Sequence, residues 1–158
     1  MSDNVIQVAQ LRKSFGAHTA LRGVSLAVKR GEMVAPLGAS GSGKSTLLRH
    51  LNGLHRADAG SHSHVEVLGR TLQQGGRLAR DARATRTQVA AIFQQFNLVD
   101  RLSVMKNVLA GARHGQPLWR GLLAQFPDAE LQHAHEALRR VGIERCAWQR
   151  ASTLSGGQ

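Results

Sequence analysis

The stretch Gly38-Ala39-Ser40-Gly41-Ser42-Gly43-Lys44-Ser45 decides the reading of this chain. It matches G-x-x-x-x-G-K-[ST], in which glycines permit the backbone angles that turn consecutive N–H groups onto a phosphate. In such a loop Lys44 places a point charge on the β and γ phosphates of a nucleotide, and Ser45 offers its hydroxyl to Mg2+. A four-position match arises by chance in on the order of one in a few hundred chains of this length. Its surroundings lower that further. Met33 to Leu37 is a short apolar run that ends abruptly at Gly38, which fits a buried strand. The segment KSTLLRHLNGL at 44–54 sets Leu47, Leu48, Leu51 and Leu54 on one side of a helix that ends near Gly53. A Gly/Ser-rich linker would not be bracketed so tightly by apolar runs, so this is a nucleotide-phosphate site at a helix N-terminus.

Working outward, the runs VIQVAQL and TALRGVSLAV between Val5 and Val28 alternate partly with polar residues and are broken by Gly16 and Gly23. They predict a small antiparallel β region. VEVLG at 65–69 reads as a short strand and VAAIF at 89–93 as a second buried one. Arg77, Arg80, Arg83 and Arg86 recur every three residues, which would stripe one side of a helix and reads as a solvated face. Beyond Asn97, Leu102–Ala112 and Glu130–Val141 read as helices separated by a loop with Gly115, Pro117 and Pro127. The expected organisation is a β subdomain plus phosphate-loop core over 1–96 and a helical subdomain over 97–158.

With 158 residues and 42% hydrophobic content the chain fits one domain with a real core. No stretch approaches the roughly 18 apolar residues that span a bilayer, and MSDNVIQV lacks a signal-like pattern, so a cytoplasmic location is expected. The formal charge of +11 suits nucleic acid, phosphorylated ligands or anionic headgroups and chooses none of them. The single cysteine, Cys146, has no partner for a disulfide or a metal pair and reads as a small buried or half-buried side chain.

The phosphate loop is shared by kinases, GTPases, helicases and transport ATPases, so other residues must separate them. Leu154-Ser155-Gly156-Gly157-Gln158 resembles the signature sequence of the ATP-binding-cassette (ABC) ATPases. In that family it opens a helix whose N-terminus and serine bind the γ phosphate held by the opposite subunit of a dimer. The resemblance covers essentially the whole chain, and RHLNGL at 49–54, IFQQFNLVDRLSVMKNVLAG at 92–111 and PLWRGLLAQF at 117–126 are most similar to phosphonate importer ATPases. Importers of amino acids and other small polar solutes share parts of these segments.

The resemblance implies an α/β fold: a P-loop NTPase core sheet, a small antiparallel β subdomain and a helical subdomain. It implies ATP and Mg2+ as ligands, bound through Gly38, Ala39, Ser40, Gly41, Ser42, Gly43, Lys44, Ser45 and Thr46. Gln94 matches the glutamine that contacts Mg2+ and water, with Gln95 the rival position; Ser45 is the other metal contact. Phe15 sits where the family has an aromatic that stacks on adenine, although a core phenylalanine is the alternative. The implied partners are a second ATPase subunit in a homodimer, a transmembrane permease and, indirectly, a solute-binding protein. The implied location is peripheral, on the cytoplasmic face of the bacterial inner membrane, with no nucleic acid expected. A DNA-maintenance ATPase would suit the charge, but neither a heptad coiled coil nor a zinc-type cysteine cluster separates Lys44 from Ser155.

Two departures from the family pattern stand out. The sequence reaches Gln158 without the Asp-Glu strand and switch histidine that follow the signature, so no catalytic residue is assigned in this chain and a non-catalytic nucleotide-binding fragment is the rival function. The histidines His62 and His64 precede the signature and read as loop residues. Pro36 removes a ladder donor from what should be a central parallel strand.

Overall fold

The bulged alternation of Val8 and Leu11 sets the geometry of the N-terminal sheet. Strands β1 (Asn4–Phe15) and β2 (His18–Lys29) form an antiparallel hairpin in which Phe15 pairs with His18 across Gly16 and Ala17. In a regular strand, residues three apart face opposite sides. Here the register shifts between Val8 and Leu11, Gln10 adopts φ 49, and both apolar side chains are buried. The bulge is held from the neighbouring strand, where Ser25 Oγ accepts the Gln10 N–H at 3.0 Å.

The computed structural model describes residues 3–92, 98–111 and 126–155. The chain divides into two compact units, Met1–Ile92 and Phe93–Gln158. In the first, β3 (His64–Val67), β4 (Arg70–Gln74) and β5 (Arg77–Leu78) extend the hairpin into an antiparallel sheet of order β2-β1-β3-β4-β5. Its core consists of Val8, Leu11, Leu21, Val65, Val67 and Leu72, with Leu47 and Leu51 of helix α1 (Lys44–Leu51) packed against it. A short helix, α2 (Ala82–Arg86), follows and buries Ala82 and Thr85.

The α/β class expected from the sequence stands, but several local expectations are corrected. Met33–Leu37 forms no strand: Met33 is 96% exposed and Leu37 92%. Val89–Ile92 forms none either, and Ile92 is fully exposed; Phe93 lies outside the described residues. Each apolar run needs ladder partners on both sides to become a buried parallel strand, and neither has one among the described residues. Pro36 withholds a further donor. The arginine stripe does not lie on one helix, because Arg77 belongs to β5 and only Arg83 and Arg86 belong to α2. His64 opens β3 rather than lying in a loop. On α1 the buried face is Leu47, His50 and Leu51, while Leu48 and Leu54 are about half exposed.

The C-terminal end of α1 is closed by a side chain from the sheet. Gln73 of β4 is fully buried. Its Oε1 accepts the Ala57 N–H at 2.9 Å, and its Nε2 donates to the carbonyls of His50 at 3.3 Å and His55 at 3.2 Å. The last carbonyls of a helix lack intrahelical donors; the His50 carbonyl also receives the Gly53 N–H at 3.0 Å, while Gln73 pairs the buried Ala57 N–H and the His55 carbonyl of the segment after the helix.

In the second unit, α3 (Val104–Gly111) and α4 (Asp128–Arg140) share a core of Val104, Met105, Leu109, Ala134, Leu138 and Ala147. Asp128 and Glu130 lie in the first turn of α4 and Arg139 and Arg140 in its last, which suits the helix dipole. Asn107 receives the Val99 N–H at 2.8 Å and donates to the Val99 and Ser103 carbonyls, tying the entry segment to α3. Cys146 is half-buried.

Replacing Gln73 with Leu takes this partner from the buried Ala57 N–H and the His55 carbonyl and leaves the His50 carbonyl with the Gly53 N–H. A loss of about 2–3 kcal/mol in urea unfolding is expected. An unchanged midpoint would show that the amide is dispensable for holding α1.

Candidate functional site

The phosphate loop turns on two glycines that no other residue replaces freely. Gly41 has φ 81 and Gly43 has φ 90, both in the left-handed region. A Cβ on Gly43 would stand 2.5 Å from the Ala20 carbonyl oxygen and 3.0 Å from Leu21 Cδ2, both on β2. The loop therefore rests directly on the antiparallel sheet at the start of α1. The Ser42 N–H donates to the Ala39 carbonyl at 3.2 Å, which closes the turn from within.

Gly43 is the N-cap of α1, and it supplies no side-chain oxygen to the first-turn N–H groups. No acidic residue occupies that turn. The N–H groups of Lys44, Ser45 and Thr46 thus point out of the helix with its positive dipole end and no protein carboxylate to meet them, which suits an anion. The Lys44 ammonium folds back into the same loop. It donates to the Gly38 carbonyl at 2.7 Å, the Ala39 carbonyl at 2.8 Å and Ser42 Oγ at 3.2 Å. These contacts fix a full positive charge at the loop although the side chain is solvent-accessible. Ser40, Gly41 and Ser45 are exposed, so the loop surface is open to a ligand.

Phe15 stands at the end of β1 and is 45% exposed, so it is not the core phenylalanine that the alternative reading allowed. Its ring meets His55 edge-to-face with centroids 5.6 Å apart and planes at 73°. Lys13 Nζ lies 5.2 Å from the ring centroid and 3.8 Å from Asp58 Oδ1. Asp58 also accepts the Ser14 N–H at 3.0 Å, and that bond holds its carboxyl below the ordinary range.

The remaining site residues lie in the second unit or outside the described residues. Leu154 packs against the core of the second unit after a 3₁₀ turn, Ala151–Thr153, and Ser155 is exposed. Gly156, Gly157, Gln158, Gln94 and its rival Gln95 lie outside the described residues. Among the described residues no group of three or more His, Cys, Asp and Glu side chains is arranged to hold a metal. Of the two expected cation contacts, the Ser45 hydroxyl lies at the loop and Gln94 lies outside the described residues.

Comparison with known proteins gives a consistent picture. The family model described as "ABC transporter" matches residues 21–158. The chain is 56% identical over 154 residues to the phosphonates import ATP-binding protein PhnC of Escherichia coli O157:H7, covering 98% of this chain and 59% of that one. It thus spans about three-fifths of the length of the curated relatives it matches. Among solved structures it is similar to cbiO1 of Clostridium perfringens, part of the ABC transporter complex cbiONQ, with TM-score 0.68, 26% identity and 98% and 57% of the two chains covered. A nucleotide-free ATP-binding cassette from an ABC transporter superposes with TM-score 0.74 at 24% identity, over 98% and 60% of the two chains, and shows the fold alone.

Sequence reasoning missed two residues that support the site, Gln73 and His50. His50 is fully buried on α1, with its Nδ1 bonded to the Thr46 carbonyl at 2.7 Å. Spacing offered one signal: His50 falls three after Leu47, on the face that α1 buries. Burial lowers its pKa, opposed by the backbone carbonyls of Thr46 and Arg56. A histidine depressed in this way binds fewer protons folded than unfolded below about pH 6.5. Its contribution is complete above that pH and is lost as pH falls from there towards the lowered folded value. The urea midpoint of the wild type should drop more between about pH 7.5 and pH 5.5 than that of His50→Gln; equal drops would assign the effect to other groups.

Proposed function

The chain belongs to the ABC transporter family, and from that premise we propose that it is the ATP-binding part of a bacterial importer subunit that couples ATP hydrolysis to uptake of phosphonates. The observation that carries the nucleotide reading is the Lys44 ammonium held at an uncapped helix N-terminus by two loop carbonyls and Ser42. The phosphonate reading is supported by 56% identity along 98% of the chain to a phosphonates import protein.

In this proposal each residue has a physical task. The first-turn N–H groups and Lys44 bind the β and γ phosphates, and Phe15 stacks on the adenine. Ser45, with Gln94, holds Mg2+, which when bound neutralises charge on the phosphates. Ser155, with Leu154, Gly156, Gly157 and Gln158, completes the γ-phosphate site of a second copy. The helical segment 97–158 faces a transmembrane permease, which in turn receives solute from a binding protein. This arrangement would hold the subunit on the cytoplasmic face of the inner membrane. Among the described residues no helix is long and apolar enough to cross a membrane.

Lys44→Ala should weaken binding of Mg-ATP by about 10- to 100-fold, the range for losing charge-assisted hydrogen bonds. Calorimetric titration measures this. Equal affinity in both proteins would remove the loop from the binding site, and absence of binding to the wild type would overturn the nucleotide reading itself.

A further inference from the structure

Phe15 ends a strand and is nearly half exposed, so something other than core packing must fix its ring. The structure supplies His55, whose imidazole meets the ring edge-to-face at 5.6 Å, beside Lys13 Nζ at 5.2 Å from the ring centroid. His55 is itself anchored more firmly than its place in the segment after α1 suggests. Its N–H donates to the Arg49 carbonyl at 3.1 Å, and its carbonyl accepts from buried Gln73 at 3.2 Å. Its ring lies 5.7 Å from that of His50, whose Nδ1 is bonded to Thr46 in the first turn of α1. An unbroken series of contacts thus runs from the phosphate loop's helix through two imidazoles to the aromatic ring at the end of β1.

We propose that His55 is a positioning residue for the base: with His50 behind it, it sets where the Phe15 ring stands relative to the phosphate loop. The inference rests on the nucleotide reading and deepens it, because the two imidazoles join the phosphate-binding and base-binding ends of one ligand. An aromatic pair of this geometry that preorganises the ring changes affinity roughly 3- to 10-fold. The effect is confined to ligands that carry a base. His55 is the residue to change because it is only partly buried, whereas His50 is enclosed by the fold.

The test compares ATP with inorganic tripolyphosphate, which has the phosphates and no base, by calorimetric titration in Mg2+ on the full chain. His55→Leu should weaken ATP about 3- to 10-fold and leave tripolyphosphate unchanged, and His55→Phe, which restores an aromatic edge, should recover most of the loss. Retained tripolyphosphate binding also shows that the variant is folded. An equal loss for both ligands would make His55 merely structural and overturn the proposal, as would unchanged ATP affinity in His55→Leu or a failure of His55→Phe to rescue. Wild-type binding of tripolyphosphate with no gain from the adenosine would remove the base platform and this inference while leaving the phosphate site intact. Binding of neither ligand would defeat the nucleotide reading and the inference with it.

Discussion

The buried amide of Gln73 is the constraint on which the N-terminal unit depends. A helix of eight residues is too short to be stable alone, and α1 owes its place to tertiary contacts. Apolar packing through Leu47 and Leu51 supplies attraction but little direction. Gln73 supplies direction, since an amide that accepts one N–H and donates to two carbonyls has one orientation that satisfies all three. With the C-terminal end of α1 pinned to β4, its N-terminal end and the glycine loop before it are pinned as well. The carbonyl of His55, whose ring meets Phe15, accepts from the same amide.

At the other end of α1 the contact is steric. Gly43 brings the loop against the Ala20 carbonyl at a distance that leaves no room for a Cβ. The sheet therefore fixes the loop from below while Lys44 braces it from within. Both features leave the first-turn N–H groups turned outward. An N-cap serine or aspartate would satisfy those donors and stabilise the helix, typically by about 1 kcal/mol. Its absence forgoes that stability and leaves the donors open to an anion, the kind of local violation expected where a fold has work to do.

The parts of this arrangement that the sequence made legible are those written in consecutive residues. The glycine loop, the helix after it, the hairpin from alternation and the two later helices each depend on spacing within one segment. The parts that it hid depend on residues far apart. Gln73 is a polar residue in a polar run, and nothing local says that it faces inward under α1. His50 carried a weak signal through its spacing from Leu47, but the leucines beside it suggested a different face. The edge contact between Phe15 and His55 joins residues separated by a strand, the loop and a helix. Gln94, Gly156, Gly157 and Gln158 lie outside the described residues.

The two apolar runs that did not become strands show the limit most clearly. Met33–Leu37 and Val89–Ile92 carry the composition of buried parallel strands, yet composition specifies only that a segment prefers to be covered. A strand exists when its N–H and C=O groups find a ladder, and that requirement is met by other segments rather than by the run itself. The antiparallel hairpin escapes this dependence because its partner is two residues away across Gly16 and Ala17. Local pairing makes the hairpin that carries Ala20, and the ladder from Ile6 to Val67 adds β3 and with it β4 and Gln73; these hold the phosphate loop without the parallel ladder. The geometry of the loop thus rests on two contacts of equal reach in sequence, from Gly43 back to Ala20 of β2 and from His50 forward to Gln73 of β4.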